Sequence, residues 1–579
     1  RDKEDYRINL VYGNILLEKN KIEEALNCYN NGIKRISQYD DRSISGELYY
    51  YKGLAYLFQN DKSKAEEMFY KASWSLDTKS NALLKLAQLN KSNELLQESL
   101  KLNALNIKAL HLQVSLNKNE LKPYLIKYPL DLYFNIQAYN LKMISEEEVL
   151  KIFNNKTNNY LDTVQELLEN SEVELAINCL NLALKENKYP LFYYYLAYIY
   201  SQNNVFETKK YLELAEKASP YLCFPNDLSS ALVLSHLDSK YNLRMGKYYL
   251  GCFYYDKKEY AEALFLWQKI TDIPFPTLYR NLGIVTYNYE NNNQKAQEYY
   301  EKAFNLDIDD MTVLLEYDQL KKLSKVPLKE RLDYLNKYQI FTSDALLIEY
   351  LSLLNDNQEY QKVLEILSKH KFHIWEGGEG KVAYEYEKAL INLALKEKKT
   401  EYLLKALDYP LNLGEGKIIF NKQNHIYYLL GYLLEIKGHK EESLKYYKMA
   451  THGEYKITNG LFYNDINLEI IFFQYLAFKK LNKVKERKEF KIKLENYLQK
   501  NEGKTLKMDY FAISYPNISV FKEDLKAENI VYCSFIKILL LLLKGKTQIA
   551  LRDFNLFEKA NPYFKTYLKY SVDLVNIFG

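Results

Sequence analysis

Small and aromatic residues recur at fixed intervals along this chain, and this spacing constrains its fold more than any other feature. A glycine is followed by a small residue at +12, an aromatic residue at +16 and a small or apolar residue at +19. Four sets show these offsets: Gly13, Ala25, Tyr29 and Gly32; Gly53, Ala65, Phe69 and Ala72; Gly251, Ala263, Trp267 and Ile270; Gly431, Ser443, Tyr447 and Ala450. Small residues at two of these places allow paired helices to cross closely, so the spacing predicts stacked helical hairpins.

A further set is displaced by one residue. Gly283 is followed by Ala296, Tyr300 and Ala303, each one position late, which we attribute to a longer turn at 290–293. Only 11 prolines and 19 glycines interrupt 579 residues, and this scarcity favours long helices joined by short turns. The spacings resemble those of tetratricopeptide (TPR) repeats. We therefore expect an all-α fold, a right-handed α-solenoid of TPR-like helix–turn–helix repeats with irregular breaks.

Proline and polar clusters mark where the repeats become irregular. We expect N-terminal repeats over 1–117, a degenerate helical connector over 118–170, central repeats over 171–330 and C-terminal repeats over 331–579. A non-repeat hairpin or loop is expected to be inserted near 500–524, where Pro516 falls. Several stretches should then bend or shift relative to one another.

Charge and composition exclude several classes of function. The 79 basic and 75 acidic residues are interspersed, giving a net charge of +4 and no basic stripe for nucleic acid. The five cysteines are scattered without a CxxC pair, and no HxxxH or HExxH occurs, so we expect no metal and no cofactor. The apolar run 538–543 is too short to span a membrane. The lack of a disulfide pattern slightly favours a cytoplasmic location.

A duplicated tetrapeptide is the most unusual local motif. Gly378-Glu379-Gly380-Lys381 recurs 36 residues later as Gly414-Glu415-Gly416-Lys417, about one repeat unit away. Two such turns would lie on the same edge of a solenoid, which we call the Gly-Glu-Gly-Lys edge. A Trp and a His beside carboxylates form a plausible platform for a sugar, while a purely structural turn is the competing interpretation. The candidate binding residues are His373, Trp375, Glu376, Glu379, Lys381, Asn412, Glu415, Lys417, Arg280 and Asn281.

Four longer strings suggest a narrower resemblance: 375–382 (WEGGEGKV), 409–417 (YPLNLGEGK), 279–283 (YRNLG) and 509–514 (DYFAIS). They are similar to the TPR half of large bacterial proteins that carry an N-terminal β-rich domain related to galactose-mutarotase-like sandwiches. The resemblance extends from about Tyr193 to Pro562 and implies a carbohydrate-linked role shared with that domain. Since the chain begins at Arg1, we expect such a domain to be missing from this sequence.

Three functions follow from these patterns. The first is a non-catalytic scaffold that binds a protein partner or the missing domain, with the Gly-Glu-Gly-Lys edge as its binding site. The second is the helical half of a carbohydrate-binding or glycoside-processing protein, in which Glu376, Glu379 and Glu415 contact sugar. The third is a structural subunit of a large assembly. No nucleophile–base set or metal triad occurs in the sequence, so we do not expect this chain to be an enzyme by itself.

Overall fold

The chain is all-α and is built from paired antiparallel helices. The computed structural model describes residues 5–38, 45–373, 378, 380–415, 423–454, 456–459, 465–506 and 519–567. These residues form helices α1 to α31 and include no strand. The predicted fold class, a series of TPR-like helical hairpins, is confirmed. No helix among them is long and apolar enough to cross a membrane.

The chain divides into two compact units, residues 1–273 and 274–579. Unit 1 contains seventeen helices: α1 (Tyr6–Glu18), α2 (Ile22–Ser37), α3 (Glu47–Phe58), α4 (Lys62–Ala72), α5 (Leu76–Asn90), α6 (Asn93–Leu102), α7 (Ile107–Leu116), α8 (Leu121–Lys127), α9 (Leu132–Asn140), α10 (Glu146–Phe153), α11 (Thr157–Glu169), α12 (Val173–Glu186), α13 (Pro190–Tyr200), α14 (Val205–Lys217), α15 (Leu228–Tyr241), α16 (Met245–Asp256) and α17 (Tyr260–Gln268). Most of them pair in sequence, but α8 packs on α9, and α15 packs between the α13–α14 and α16–α17 hairpins.

Unit 2 contains seven hairpins: α18 (Pro276–Val285) with α19 (Asn293–Leu306), α20 (Met311–Leu323) with α21 (Leu328–Leu335), α22 (Asp344–Asp356) with α23 (Tyr360–Lys369), α24 (Lys381–Glu397) with α25 (Thr400–Ala406), α26 (Asn424–Ile436) with α27 (Lys440–Met449), α28 (Leu468–Lys480) with α29 (Val484–Asn501), and α30 (Leu525–Leu543) with α31 (Thr547–Ala560). The first helices of neighbouring hairpins pack on one another, as α20 does on α22, α22 on α24 and α26 on α28.

The small and aromatic residues pack against one another as their spacing predicts. Tyr29, Phe69, Trp267 and Tyr447 are buried, and each lies against the glycine of its own set. A methyl group added at Gly431 would lie 2.8 Å from the Tyr447 ring, closer than carbon atoms can approach. The glycines therefore set how closely the two helices of a hairpin cross.

The fifth set shows a different cause for its one-residue displacement. The last turn of the helix that contains Gly283 widens into a π-helical turn over Thr286–Glu290. A π-turn takes in one extra residue, so the delay arises inside the helix and not in a longer connection. Tyr300 still reaches Gly283, and Ala296 and Ala303 remain fully buried.

Each unit also brings its first and last hairpins together. In unit 1, the Lys19 and Lys21 ammonium groups lie 2.5 and 2.6 Å from the Glu259 carboxylate, which joins the α1–α2 turn to the α16–α17 turn. In unit 2, Phe521, just before α30, packs on Tyr287 and Tyr300 of the first hairpin.

Candidate functional site

A short non-helical stretch follows α31 and runs across the first helices of unit 2. We call residues 561–567 the C-terminal segment, and the side chains of α20, α22, α24, α26 and α28 that meet it the first-helix face. The Tyr563 hydroxyl donates to the Val326 carbonyl just after α20. Four residues later, Tyr567 contacts α24, α26 and α28. The segment therefore crosses five successive repeats.

The backbone of Tyr567 is held at both of its polar groups by side chains. Its N–H donates to the Glu469 carboxylate of α28 at 2.7 Å, and its carbonyl accepts from the Asn392 amide of α24 at 2.8 Å. Glu469 and Asn392 are both buried. Contacts to a peptide backbone do not depend on side-chain identity, so this pair would hold many extended sequences.

The Tyr567 ring fills a polar and aromatic pocket. Its centroid lies 4.8 Å from that of Tyr384 and 4.5 Å from that of His425. Its hydroxyl donates to Glu387 at 3.1 Å, and Glu387 also accepts from Tyr409 at 2.6 Å. Ring stacking together with a buried acceptor is a specific environment for a tyrosine.

Lys565 lies over a cluster of charged groups on α20, α21, α22 and α24. A small polar cavity is lined by Lys565 together with Glu349, Arg331, Lys388 and other residues of this cluster. Burial opposes ionisation of Glu349, but Lys322, Arg331 and Lys565 outweigh it and lower the Glu349 pKa to about 2. Burial and the nearby Lys322 lower the pKa of Lys565, while Glu385 and Glu349 oppose this shift. The cavity thus contains charges of both signs, and the surroundings disfavour the charged form of Lys565.

The side chains of the C-terminal segment contact both the first-helix face and the last hairpin. Tyr563, Lys565 and Tyr567 meet the first-helix face, whereas Phe564 packs on Phe535 and Phe557 of the last hairpin. Thr566 lies with Glu469 and apolar residues of α28, α30 and α31.

The Gly-Glu-Gly-Lys edge is described only in part, because Trp375, Glu376, Glu379 and Lys417 lie outside the described residues. Glu415 accepts from the backbone N–H groups of Gly380 at 2.8 Å and of Ala383 at 3.3 Å. It therefore caps the start of α24, where orphan N–H groups and the helix dipole favour a carboxylate. The two tetrapeptides do meet, and the described contact between them is a structural one.

Other predicted site residues take part in contacts within the chain. The Asn412 amide donates to the Leu367 and His370 carbonyls at 2.5 and 2.8 Å, which ties the turn Leu411–Leu413 to the end of α23. The Lys381 N–H donates to Gly378 at the start of α24. His373 keeps 80% of its side chain exposed, with its backbone N–H bonded to Asp344.

Arg280 belongs to a separate cluster. Its guanidinium makes two hydrogen bonds of 2.6 Å to Glu316 of α20, and Tyr300 donates to the same carboxylate. Arg280 thereby links α18 to α20 and is not part of the edge, and its neighbour Asn281 is partly buried on α18. The structure thus brings Glu415 and Lys381 together but assigns Arg280 to repeat packing.

The sequence analysis did not identify the residues of the first-helix face. Glu349, Glu387, Asn392, His425 and Glu469 match no motif, and they are distributed over four different hairpins. One signal was present: ionisable residues interrupt otherwise apolar helices at Glu385, Glu387 and Lys388 of α24 and at Glu469 of α28. Lysine and glutamate side chains are almost never fully buried unless they are paired. No group of three or more potential metal ligands occurs among the described residues.

No protein-family model matches the chain. Among solved structures, it is similar to Naa15/Naa10 bound to HypK, with 12% identity, 98% of this chain and 90% of that chain covered, and a TM-score of 0.23. It is similar to yeast Tom70 with 13% identity, 86% and 99% coverage and a TM-score of 0.21. It is similar to the P58(IPK) TPR domain with 12% identity, 83% of this chain and 99% of that chain covered, and a TM-score of 0.19. Scores this low carry no inference about function.

Proposed function

We propose that this chain is a helical-repeat scaffold that binds a protein partner, and that the first-helix face of unit 2 holds an extended segment of that partner. The observation that supports this proposal is the occupancy of that face by a non-helical stretch of the chain itself. Stacked repeats commonly present extended surfaces for such segments. Backbone-directed contacts from Asn392 and Glu469 provide the means to hold one.

A displayed library of random seven-residue peptides tests this proposal. The bait is the full chain with Lys565→Ala and Tyr567→Ala, which weaken the hold of the C-terminal segment while leaving the first-helix face intact. We expect enrichment of binding peptides whose affinity falls at least tenfold when Asn392→Ala is added, because the backbone carbonyl contact is lost. Circular dichroism establishes that each variant remains helical.

The matched control is Asn159→Ala in unit 1. Asn159 also donates its side-chain amide to a backbone carbonyl, that of Phe153 at 2.9 Å, but it lies in the other unit. It should leave peptide affinity unchanged. A library that yields no binders, or binders equally tight to the Asn392→Ala chain, would rule out the first-helix face as a peptide site.

The Gly-Glu-Gly-Lys edge remains a second proposed surface for a partner or for a further domain. The exposed His373 ring favours it. A carbohydrate-processing role would need the carboxylates of Glu376, Glu379 and Glu415 to face a common ligand, and Glu415 is engaged with α24. Protein binding through the first-helix face therefore has the stronger support.

A further inference from the structure

We propose that unit 1 binds the surface of an anionic lipid membrane through one edge of its repeats. We call this surface the apolar edge. It consists of the connections that lead into α5, α7 and α9, together with the helix turns that adjoin them: residues 71–79, 101–108 and 127–131. The apolar edge lies in unit 1 and does not depend on the function proposed for the first-helix face of unit 2. Its exposed side chains, their position in the repeat and the nearby charges support the proposal.

Each connection presents a large apolar side chain at the same position of the repeat. Trp74, Leu105 and Leu130 come two residues before α5, α7 and α9 begin, and these residues are 77%, 73% and 78% exposed. The equivalent positions before α3 and α11 hold Ser45 and Asn155. Apolar residues therefore occupy this position in three consecutive connections, and polar residues occupy it on either side of them.

Hydrogen bonds place the three connections side by side. The Asn106 amide, at the start of α7, donates to Asn81 of α5 at 3.4 Å. The Asp131 carboxylate, at the start of α9, lies 3.0 Å from the His111 ring of α7. Since each of these contacts joins the start of one helix to the preceding first helix, the exposed residues of neighbouring connections form a row along one edge of unit 1.

The row is suited to a lipid surface. Leu76 and Ile126, which are 80% and 78% exposed, extend it. Single exposed apolar residues are ordinary, but a row of them marks a surface that binds protein or membrane. Side chains at the tips of connections can enter a membrane interface together, because lipid adapts to their spacing whereas a protein partner needs a matching surface. Tryptophan is favoured at the boundary between lipid and water, and Trp74 begins the row.

The charges of the apolar edge complement anionic lipid. Its three ranges contain five lysines and two aspartates, although the whole chain is nearly balanced, with 79 basic and 75 acidic residues. Lys71, Lys101 and Lys127 lie in the last turns of α4, α6 and α8, three or four residues before the apolar residue of each connection. Asp131, one of the two aspartates, already accepts from its own helix start and contacts His111. Lysines beside apolar anchors favour lipid with anionic headgroups over neutral lipid.

Co-sedimentation of the full chain with lipid vesicles tests the proposal. The probes are vesicles of phosphatidylcholine alone and mixed vesicles in which a quarter of the lipid is phosphatidylserine. We expect binding to the mixed vesicles that weakens as salt is added, since salt screens exposed charges. The triple variant Trp74→Ser, Leu105→Ser and Leu130→Ser should lower this binding at least about tenfold, because three apolar side chains no longer leave water.

The matched control replaces exposed apolar residues of unit 1 outside the apolar edge. Val205→Ser, Phe206→Ser and Leu214→Ser change residues of α14 that are 62%, 77% and 41% exposed, and this chain should bind as the wild type does. Lys101→Gln with Lys127→Gln should lower binding to the mixed vesicles by at least about fivefold and leave binding to phosphatidylcholine unchanged. Circular dichroism establishes that each variant remains helical.

Tryptophan fluorescence reports whether the apolar edge itself enters the lipid. In a chain with Trp375→Phe, the remaining tryptophans are Trp74 and the buried Trp267. Lipid with bromine atoms on its acyl chains should quench the emission of this chain. Adding Trp74→Phe keeps an apolar side chain, so binding should persist while most of the quenching is lost.

Three results would overturn the proposal: a wild-type chain that sediments with neither kind of vesicle, equal binding by the wild type and the triple serine variant, or quenching that persists after Trp74→Phe. If the triple serine variant instead lost only self-association in analytical ultracentrifugation, the apolar edge would be a contact with a second copy and not with lipid.

Discussion

The two units treat the polar groups between their first helices differently. In unit 1, His111 of α7 lies 2.7 Å from Glu166 of α11 and 3.0 Å from Asp131 beside α9, and it stacks on Tyr133. Helices and their caps provide every one of these partners. In unit 2, Asn392 and Glu469 make their contacts to the non-helical C-terminal segment.

In unit 1 the partners of the polar cluster are carried on packed helices, whereas in unit 2 they are carried on a segment whose place a ligand could take. Partners carried on packed helices cannot leave without unfolding a repeat, so the unit 1 cluster is part of the repeat packing. Partners on a non-helical segment can be released by local opening while the hairpins remain stacked. Repeat arrays gain much of their stability from contacts between neighbouring repeats, which the segment does not provide.

The largest expected loss of stability comes from breaking a buried ion pair inside unit 2. Asp318 and Arg331 are 0% and 1% exposed, and the Arg331 Nε donates to Asp318 at 2.9 Å. Asp318→Ala should lower the free energy of unfolding by about 3–5 kcal/mol, because it leaves a buried guanidinium without its main partner. Urea denaturation measures this loss.

The exposed pair Glu365 with Lys369 on α23 is the control, and Glu365→Ala should leave the urea midpoint unchanged. A loss below about 1 kcal/mol for Asp318→Ala would mean that unit 2 tolerates unpaired charge in its helices. The contrast between fixed and exchangeable contacts would then lose its basis.

The next effect is a pH dependence of stability that arises from the fixed cluster of unit 1. Burial opposes protonation of His111, but its hydrogen bonds to the Asp131 and Glu166 carboxylates outweigh it and raise its pKa from 6.5 to about 9. A raised pKa stabilises the folded state fully below pH 6.5, and this stabilisation is lost as pH rises through about 9. The loss should be about 3 kcal/mol at most.

Urea denaturation at several values between pH 6 and pH 9.5 would measure it. In His111→Gln the free energy of unfolding should be lower at pH 6 and should lose most of this pH dependence. Tyr567→Ala, which alters the C-terminal segment, should keep the wild-type dependence. An identical slope in the wild-type and His111→Gln chains would show that the imidazole does not gain a proton on folding.

A smaller loss of stability is expected from a feature that both units share, the close crossing of two helices at a glycine. Gly53→Ala in unit 1 and Gly431→Ala in unit 2 would each place a methyl group within 2.7–2.8 Å of an aromatic ring, Phe69 or Tyr447. Each should lower stability by about 1–3 kcal/mol, although alanine is otherwise the better helix former. Ser63→Ala, at an exposed position of α4, is the control and should change stability by less than about 0.5 kcal/mol. Thermal melts that rise for Gly53→Ala or Gly431→Ala would contradict the predicted helix crossing.

The sequence could predict the hairpins because each glycine, alanine and aromatic set lies within about twenty residues and reports a local crossing. The same locality explains why the cause of the delay after Gly283 was predicted wrongly. The offset of Ala296 shows that one extra residue is present, but it does not show whether a π-turn or a longer connection contains that residue. The first-helix face could not be predicted in this way. Asn392 and Tyr567 are 175 residues apart, and only the closure of unit 2 brings them together.

The Gly-Glu-Gly-Lys edge lies between these two cases. Its repetition 36 residues apart correctly indicated that the two turns are neighbours, because Glu415 reaches Gly380. Spacing cannot show whether a carboxylate accepts from a ligand or from a helix start. The predicted role of Glu415 in binding therefore depends on a measurement of stability as well as of affinity.

Glu415→Ala supplies that measurement and is the smallest effect expected. Loss of the cap should lower the free energy of unfolding by about 1 kcal/mol, since two N–H groups at the start of α24 lose their acceptor. Glu415→Gln keeps an acceptor oxygen and loses only the charge opposite the helix dipole, so it should cost about half as much. A melting temperature unchanged in both variants would leave the carboxylate available to a ligand, and the edge would then become a binding surface comparable to the first-helix face. A graded loss, with Ala lower than Gln, would instead place Glu415 with His111 among the fixed contacts and leave the first-helix face as the exchangeable one.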